Sequence, residues 1–177
     1  MRSIAFLGRG GQGIVFAGEV IAETLFEQGL YVAQLQSYGA EVRGGSVLSY
    51  VVFDRDRVEN PFIESFSLAI VLHEAGMRRW MKHLEGSDLV ILDELVSAEL
   101  RNAVKLPISR VCVEKGVLGR ENVVAIGVIA ASGVLDPSVV ERVLSRKRGF
   151  EKNIEALKLG LELGRDVADR VAAVLRL

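Results

Sequence analysis

Apolar and polar positions along the chain change period several times, and each change marks an element. The short apolar run Ile4-Ala5-Phe6-Leu7 predicts a buried strand over residues 3–7. From residue 12 to residue 28 the period lengthens. Glu19, Glu23 and Glu27 recur every four positions as a solvated stripe, while Ile14, Ala17, Ile21 and Leu25 form a core face, so this stretch reads as a helix closed by Gly29. Residues 30–36 and 46–53 are rich in β-branched, aromatic and apolar side chains and read as strands. Apolar runs at 68–72 and 89–92 are each followed by helix-compatible stretches, 75–84 and 97–104. A further run, 108–113, alternates apolar and polar residues. Helices are expected at 123–131 and 137–144, and one long helix over 151–177.

Strands alternating with helices predict an α/β fold, a Rossmann-like three-layer α/β/α sandwich around a mostly parallel sheet. The second and third strands follow each other too closely for a crossover helix, so some antiparallel pairing is expected. In the last helix Ile154, Leu157, Leu161, Gly164, Ala168, Val171 and Leu175 make a continuous seam, widened by Leu159, Leu163, Val167 and Val174. A seam this wide suggests packing against another subunit, or a homodimer when the chain is isolated. Packing wholly within its own domain is the alternative.

Length and charge narrow the chemistry. A chain of 177 residues, half of them hydrophobic, suits one domain spanning residues 1–177. Lys and Arg number 22 against 23 Asp and Glu, so no field of one sign points to nucleic acid or an anionic membrane, and any anion site must be local. Charged residues break every apolar run before membrane-spanning length, and the N-terminus leads straight into a strand. The expectation is a soluble cytoplasmic protein. Its one cysteine, Cys112, reads as a buried structural thiol, and one thiol cannot hold an iron–sulfur cluster.

Candidate chemistry concentrates in two glycine-rich loops. Gly8, Arg9, Gly10, Gly11, Gln12 and Gly13 satisfy G-x-G-x-x-G between a strand and a helix, where a bare backbone and free helix-start N–H groups suit an anion. A nicotinamide site would need an acidic residue about 20 positions on. The second strand instead ends Gln34-Leu35-Gln36-Ser37, which disfavours NAD. The second loop carries Tyr38, Glu41, Arg43, Gly44 and Gly45, and beyond a strand end it should share a rim with the first. Arg43 offers a planar fork to an anion, or alternatively a structural contact with Glu41 or the backbone. His73 follows a strand and reads as a loop or helix-start residue, with a functional role as the alternative. Asp93 or Ser97 reads as a helix cap, and His83 as a surface residue.

The segments GRGGQG, QSYGAEVRGG, ENVVAIGVIAASG and NIEALKLGLELG, in that order, resemble the gamma subunit of the 2-oxoacid:ferredoxin oxidoreductases, most closely the 2-oxoglutarate synthase type. The chain departs from the family at Ala40, where Pro is usual, at Val42, where Ala is, and at Ser67, where an acidic residue is commoner. The resemblance implies a complex that oxidatively decarboxylates a 2-oxoacid to an acyl-coenzyme A and reduces ferredoxin. It also implies that thiamine diphosphate, Mg and iron–sulfur clusters lie on partner subunits. Gly86-Ser87-Asp88 is not the thiamine diphosphate motif, in keeping with that division. The gamma subunit's share would then be assembly and part of the coenzyme A region, with no catalytic residue and no metal ligand of its own. The alternatives are a stand-alone nucleotide-binding reductase and a purely structural subunit without ligand.

Overall fold

In a computed structural model that describes residues 1–40 and 44–177, six strands form one sheet in the order β2-β3-β1-β4-β5-β6. β1 (Arg2–Arg9), β4 (Leu68–Val71), β5 (Leu89–Asp93) and β6 (Ala103–Leu106) run parallel. β3 (Ser46–Asp54) lies antiparallel to both β1 and β2 (Tyr31–Tyr38). The sheet is therefore mostly parallel with one reversed strand, as the short β2–β3 connection requires. β4 and β5 are buried along their whole length, which explains their continuous apolar sequence. β2 is an edge strand and half exposed.

Alternation along the strands sorts side chains onto two faces. Ile4, Phe6, Val51, Phe53, Ile70 and Ile91 point to one face. It is covered by α1 (Ile14–Glu27), α3 (Ile108–Glu114), α4 (Glu121–Ala130), α5 (Pro137–Ser145), α6 (Phe150–Leu163) and α7 (Ala168–Leu175). Ala5, Leu7, Leu48, Val71 and Leu92 point to the other, under Phe66, Met77 and Leu84. That layer is thin. The stretch expected to be one helix over 75–84 is two 3₁₀ turns, Glu74–Gly76 and Arg78–Trp80, followed by the five-residue α2 (Met81–Glu85).

Three further expectations are corrected. The stretch 97–104, expected as helix, enters strand β6, because Ala103 pairs with Val90 and completes the sheet edge. The alternating run 108–113 is helix α3. Its buried residues Ile108 and Cys112 are spaced by four, and Asp93 Oδ2 accepts the Ser109 N–H of the first turn at 2.7 Å. The long terminal helix breaks at Gly164 into α6, a 3₁₀ turn and α7.

The terminal seam is seated on the chain's own core. Leu157, Val167, Val171 and Leu175 are buried, and Leu159, Leu161, Leu163 and Val174 pack against them. Contact between α4 and α6 is close enough that a Cβ on Gly160 would lie 2.0 Å from the Val124 carbonyl oxygen. One on Gly127 would lie 2.4 Å from that of Leu157.

Candidate functional site

Register places the two glycine loops together. β1 and β2 end at the same rim because both run opposite to β3, and Arg9 pairs with Ser46 at the start of β3. One step further, the Gly10 N–H donates to the Gly45 carbonyl at 2.9 Å. A Cβ added at Gly10 would come into ordinary van der Waals contact with Gly44, at 3.8 Å. Tyr38 sits at the end of β2 with its ring exposed and its hydroxyl on Gln36 Oε1 at 2.7 Å, outside the clefts described below. Glu41 and Arg43 lie outside the described residues.

The first loop is braced from within. Gln12 folds back so that its Oε1 accepts the Arg9 N–H at 2.8 Å, while its Nε2 donates to the Leu72 carbonyl at 3.4 Å. Gly13 begins α1 in the left-handed region, at φ 69°, and a Cβ there would lie 2.3 Å from Asn122 Nδ2. That amide donates to the Gly13 carbonyl at 3.0 Å from the first turn of α4. Asn122 is only 4% exposed, and its Oδ1 has no partner among the described residues. Gly11 and Gly13 keep backbone N–H groups without a partner among those residues. The start of α1 carries neither a side-chain cap nor an acidic residue, so the positive end of its dipole is uncompensated.

Facing this loop is the turn after β4. β1 leads to α1 on one face of the sheet, and β4 leads to the 3₁₀ turns on the other. The crevice between them is therefore the point where the winding reverses, the usual ligand position in such sheets. Gly76 brings its backbone against the end of β1, where a Cβ would lie 2.4 Å from the Gly8 nitrogen. His73 caps this turn, its Nδ1 accepting the Ala75 N–H at 3.0 Å. The Glu74 carboxylate accepts the Ser97 N–H at 2.8 Å, which holds its pKa below the ordinary value.

A cleft of about 820 Å³ opens here, with Arg9, Gly10, Gly11, Gln12 and Gly44 on one wall and His73 and Glu74 on another. Its outer lip carries Leu95, Val113 and Leu118, all exposed. Gly44, His73 and Glu74 also line an adjoining cleft of about 660 Å³, bounded by Gly45, Arg78 and Arg79. Of the residues singled out in the sequence, Gly8 and Gly13 shape the first loop from behind, and the others on these loops that are described, Tyr38 apart, reach a cleft. Asn122, Gly76 and the arginine pair had not been singled out. Only the pair had a visible signal, two adjacent cations shortly after a strand.

The remaining reactive types are structural. Asp93 is fully buried, its two oxygens accepting the Leu95 and Ser109 N–H groups. Burial first, then the nearby charges of Glu121 and Asp93, push the Cys112 thiol up to about 12. His83 is not on the rim. It packs in the thin layer, edge-on to Trp80 with ring centres 4.9 Å apart.

A glycine-rich turn and a helix start at the reversal point of a mostly parallel sheet define a doubly wound α/β domain with a cleft at the usual ligand position. The chain belongs to the pyruvate ferredoxin/flavodoxin oxidoreductase family, whose description matches residues 3–163. It is 34% identical over 168 residues to the 2-oxoglutarate synthase subunit KorC of Archaeoglobus fulgidus, covering 93% of this chain and 89% of that subunit. Among solved structures, the keto/oxoacid ferredoxin oxidoreductase gamma subunit of Geobacter sulfurreducens superposes with a TM-score of 0.76 at 26% identity. The match covers 92% of this chain and 95% of that one. The 2-oxoglutarate:ferredoxin oxidoreductase of Magnetococcus marinus, solved with 2-oxoglutarate, coenzyme A and succinyl-CoA bound, shares the fold at a TM-score of 0.74 and 24% identity. It covers 98% of this chain and 31% of that one. These relatives are subunits or chains of 2-oxoacid:ferredoxin oxidoreductases. Among the described residues no helix is long and apolar enough to cross a membrane.

Proposed function

We propose that this chain is the one-domain gamma subunit of a cytoplasmic 2-oxoacid:ferredoxin oxidoreductase, with 2-oxoglutarate the favoured substrate of the complex, and that its switch-point cleft forms part of the coenzyme A site. In the overall reaction the 2-oxoacid loses carbon dioxide, its acyl group joins the coenzyme A sulfur as the thiol proton leaves, and two electrons pass to ferredoxin. Thiamine diphosphate, Mg and the iron–sulfur clusters belong to partner chains in this reading. The Archaeoglobus subunit supports the choice of substrate, and the Magnetococcus enzyme, which binds coenzyme A, supports the ligand.

The observation that carries the reading is the junction of the two loops, Gly10 N–H to Gly45, at the lip of a cleft beside an uncompensated helix start. Such a place suits a diphosphate. A ligand-free assembly role is favoured by one observation, the Gln12 side chain that already fills the loop's Arg9 donor.

Gly10→Val separates the two. Gly11 has φ 95°, so a side chain there strains the backbone, whereas Gly10 does not have positive φ and its Cβ would meet nothing closer than 3.8 Å. In the assembled enzyme Gly10→Val is expected to raise KM for coenzyme A about 10-fold or more, roughly the cost of one charge-assisted hydrogen bond, with KM for the 2-oxoacid unmoved. An unchanged coenzyme A dependence in a fully assembled variant leaves the assembly role.

A further inference from the structure

We propose that Arg78 and Arg79 bind the ribose 3′-phosphate of coenzyme A. This orients the molecule with its adenosine end over the Arg78–Arg79 turn, its diphosphate over Gly10 and Gly11, and its pantetheine arm along Leu95, Val113 and Leu118. The assignment rests on the coenzyme A reading above.

The two clefts share Gly44, His73 and Glu74 and so form one trough whose ends differ in chemistry. One end is cationic: Arg78 and Arg79 line it, and among the described residues neither forms a salt bridge. Among the described residues the other end has no Lys or Arg beyond Arg9 at the first glycine loop, and its lip is the exposed apolar trio. Coenzyme A has the same polarity, with a phosphomonoester at one end, a diphosphate next and an uncharged arm carrying the thiol. Only one direction matches charge to charge.

Arg79 is already oriented. Its guanidinium carbon lies 5.6 Å from the centre of the Trp80 ring, and its Nη1 donates to the Tyr38 carbonyl at 3.4 Å, which ties the turn to the end of β2. A guanidinium fork matches a terminal phosphate, which offers three oxygens where a diphosphate linkage offers two per phosphorus. Two acidic residues are described in the trough: Glu74 accepts the Ser97 N–H toward the β5–β6 connection, and Glu121, in the first cleft, accepts the Gly119 N–H at 3.2 Å.

The test compares coenzyme A with 3′-dephospho-coenzyme A in the assembled oxidoreductase carrying Arg78→Gln, Arg79→Gln or both. Native enzyme is expected to prefer coenzyme A. The double variant should raise KM for coenzyme A by about 10- to 100-fold, the range of one to two charged hydrogen bonds, and leave that for the dephospho compound within about 2-fold, so that the preference collapses. Arg78→Lys should recover part of it. Because Arg79 also tethers β2, Arg78→Gln alone stands as the cleaner variant if the double one does not assemble. Equal rises for both compounds, or no rise for either while Gly10→Val still weakens coenzyme A use, would overturn the assignment and leave the coenzyme A reading intact. No response from either the arginine variants or Gly10→Val would overturn both.

Discussion

Asp93 and Cys112 are residue types that invite a catalytic reading, and burial removes both from chemistry with substrate. Asp93 spends its oxygens on backbone N–H groups of a turn and of α3. Cys112, on the buried side of that same helix, has its pKa pushed from 9.0 to about 12, chiefly by burial. At pH 8 its thiolate fraction is then about 1,000-fold below that of an ordinary thiol, and the reagent has no path to it. The folded chain is therefore expected to leave an aromatic disulfide reagent unreacted over hours and to take up one equivalent on denaturation. Rapid labelling of folded protein, followed by its absorbance, would contradict this. A residue's conformational part was legible where it depended on near neighbours, as for the positive φ of Gly11 and Gly13 in the first loop. It was not legible for Asn122, whose partner Gly13 lies 109 positions away.

The one-sided pattern of α1 is matched by the structure, whereas the longer terminal pattern breaks at Gly164. The glutamate stripe of α1 lies opposite buried Ile14, Ala17, Ile21 and Leu25. Short segments misled, because six or eight residues fit either period and the tertiary environment chooses. α3 became helix where Asp93 could cap it, and residues 103–106 became strand where β5 had a free edge. α4 has no polar face because residues Asn122 to Ala130 are all buried. Its contact with α6 depends on missing side chains at Gly127 and Gly160. Gly160→Ala gains helix propensity of roughly 1 kcal/mol but forces a methyl group into the backbone of α4. A net loss of about 1–3 kcal/mol is expected from overpacking, read as a lower urea midpoint with unchanged slope. Equal or greater stability would mean that the two helices separate without cost.

Across the whole molecule, charge acts through a few ties rather than a field. Glu27, at the end of α1, is paired with Arg146 and Arg142 of the α5 region. Their hydrogen bonds, Arg146 first, lower its pKa from 4.5. A carboxylate with a depressed folded-state pKa stabilises fully above its unfolded value, and that contribution is lost as pH falls through the folded one. Glu27→Gln is thus expected to lower stability slightly near neutrality and to flatten its fall below about pH 4.5. Parallel acid titrations of the melting temperature for both proteins would expose the tie as idle. Periodicity, glycine spacing and charge balance contained the α/β class, most strands, the absence of a general anion field and the position of the first loop. These are properties of local burial, which a one-dimensional pattern records directly. Strand order and register were settled in three dimensions. They set Gly45 beside Gly10, Gly76 against Gly8, Asn122 under Gly13 and Arg78–Arg79 in one cleft with Gly44 and Gly45. Residues 35 to 109 positions apart meet only through the antiparallel reversal at β3 and the opposite exits of β1 and β4, and no local periodicity encodes the direction of a crossover.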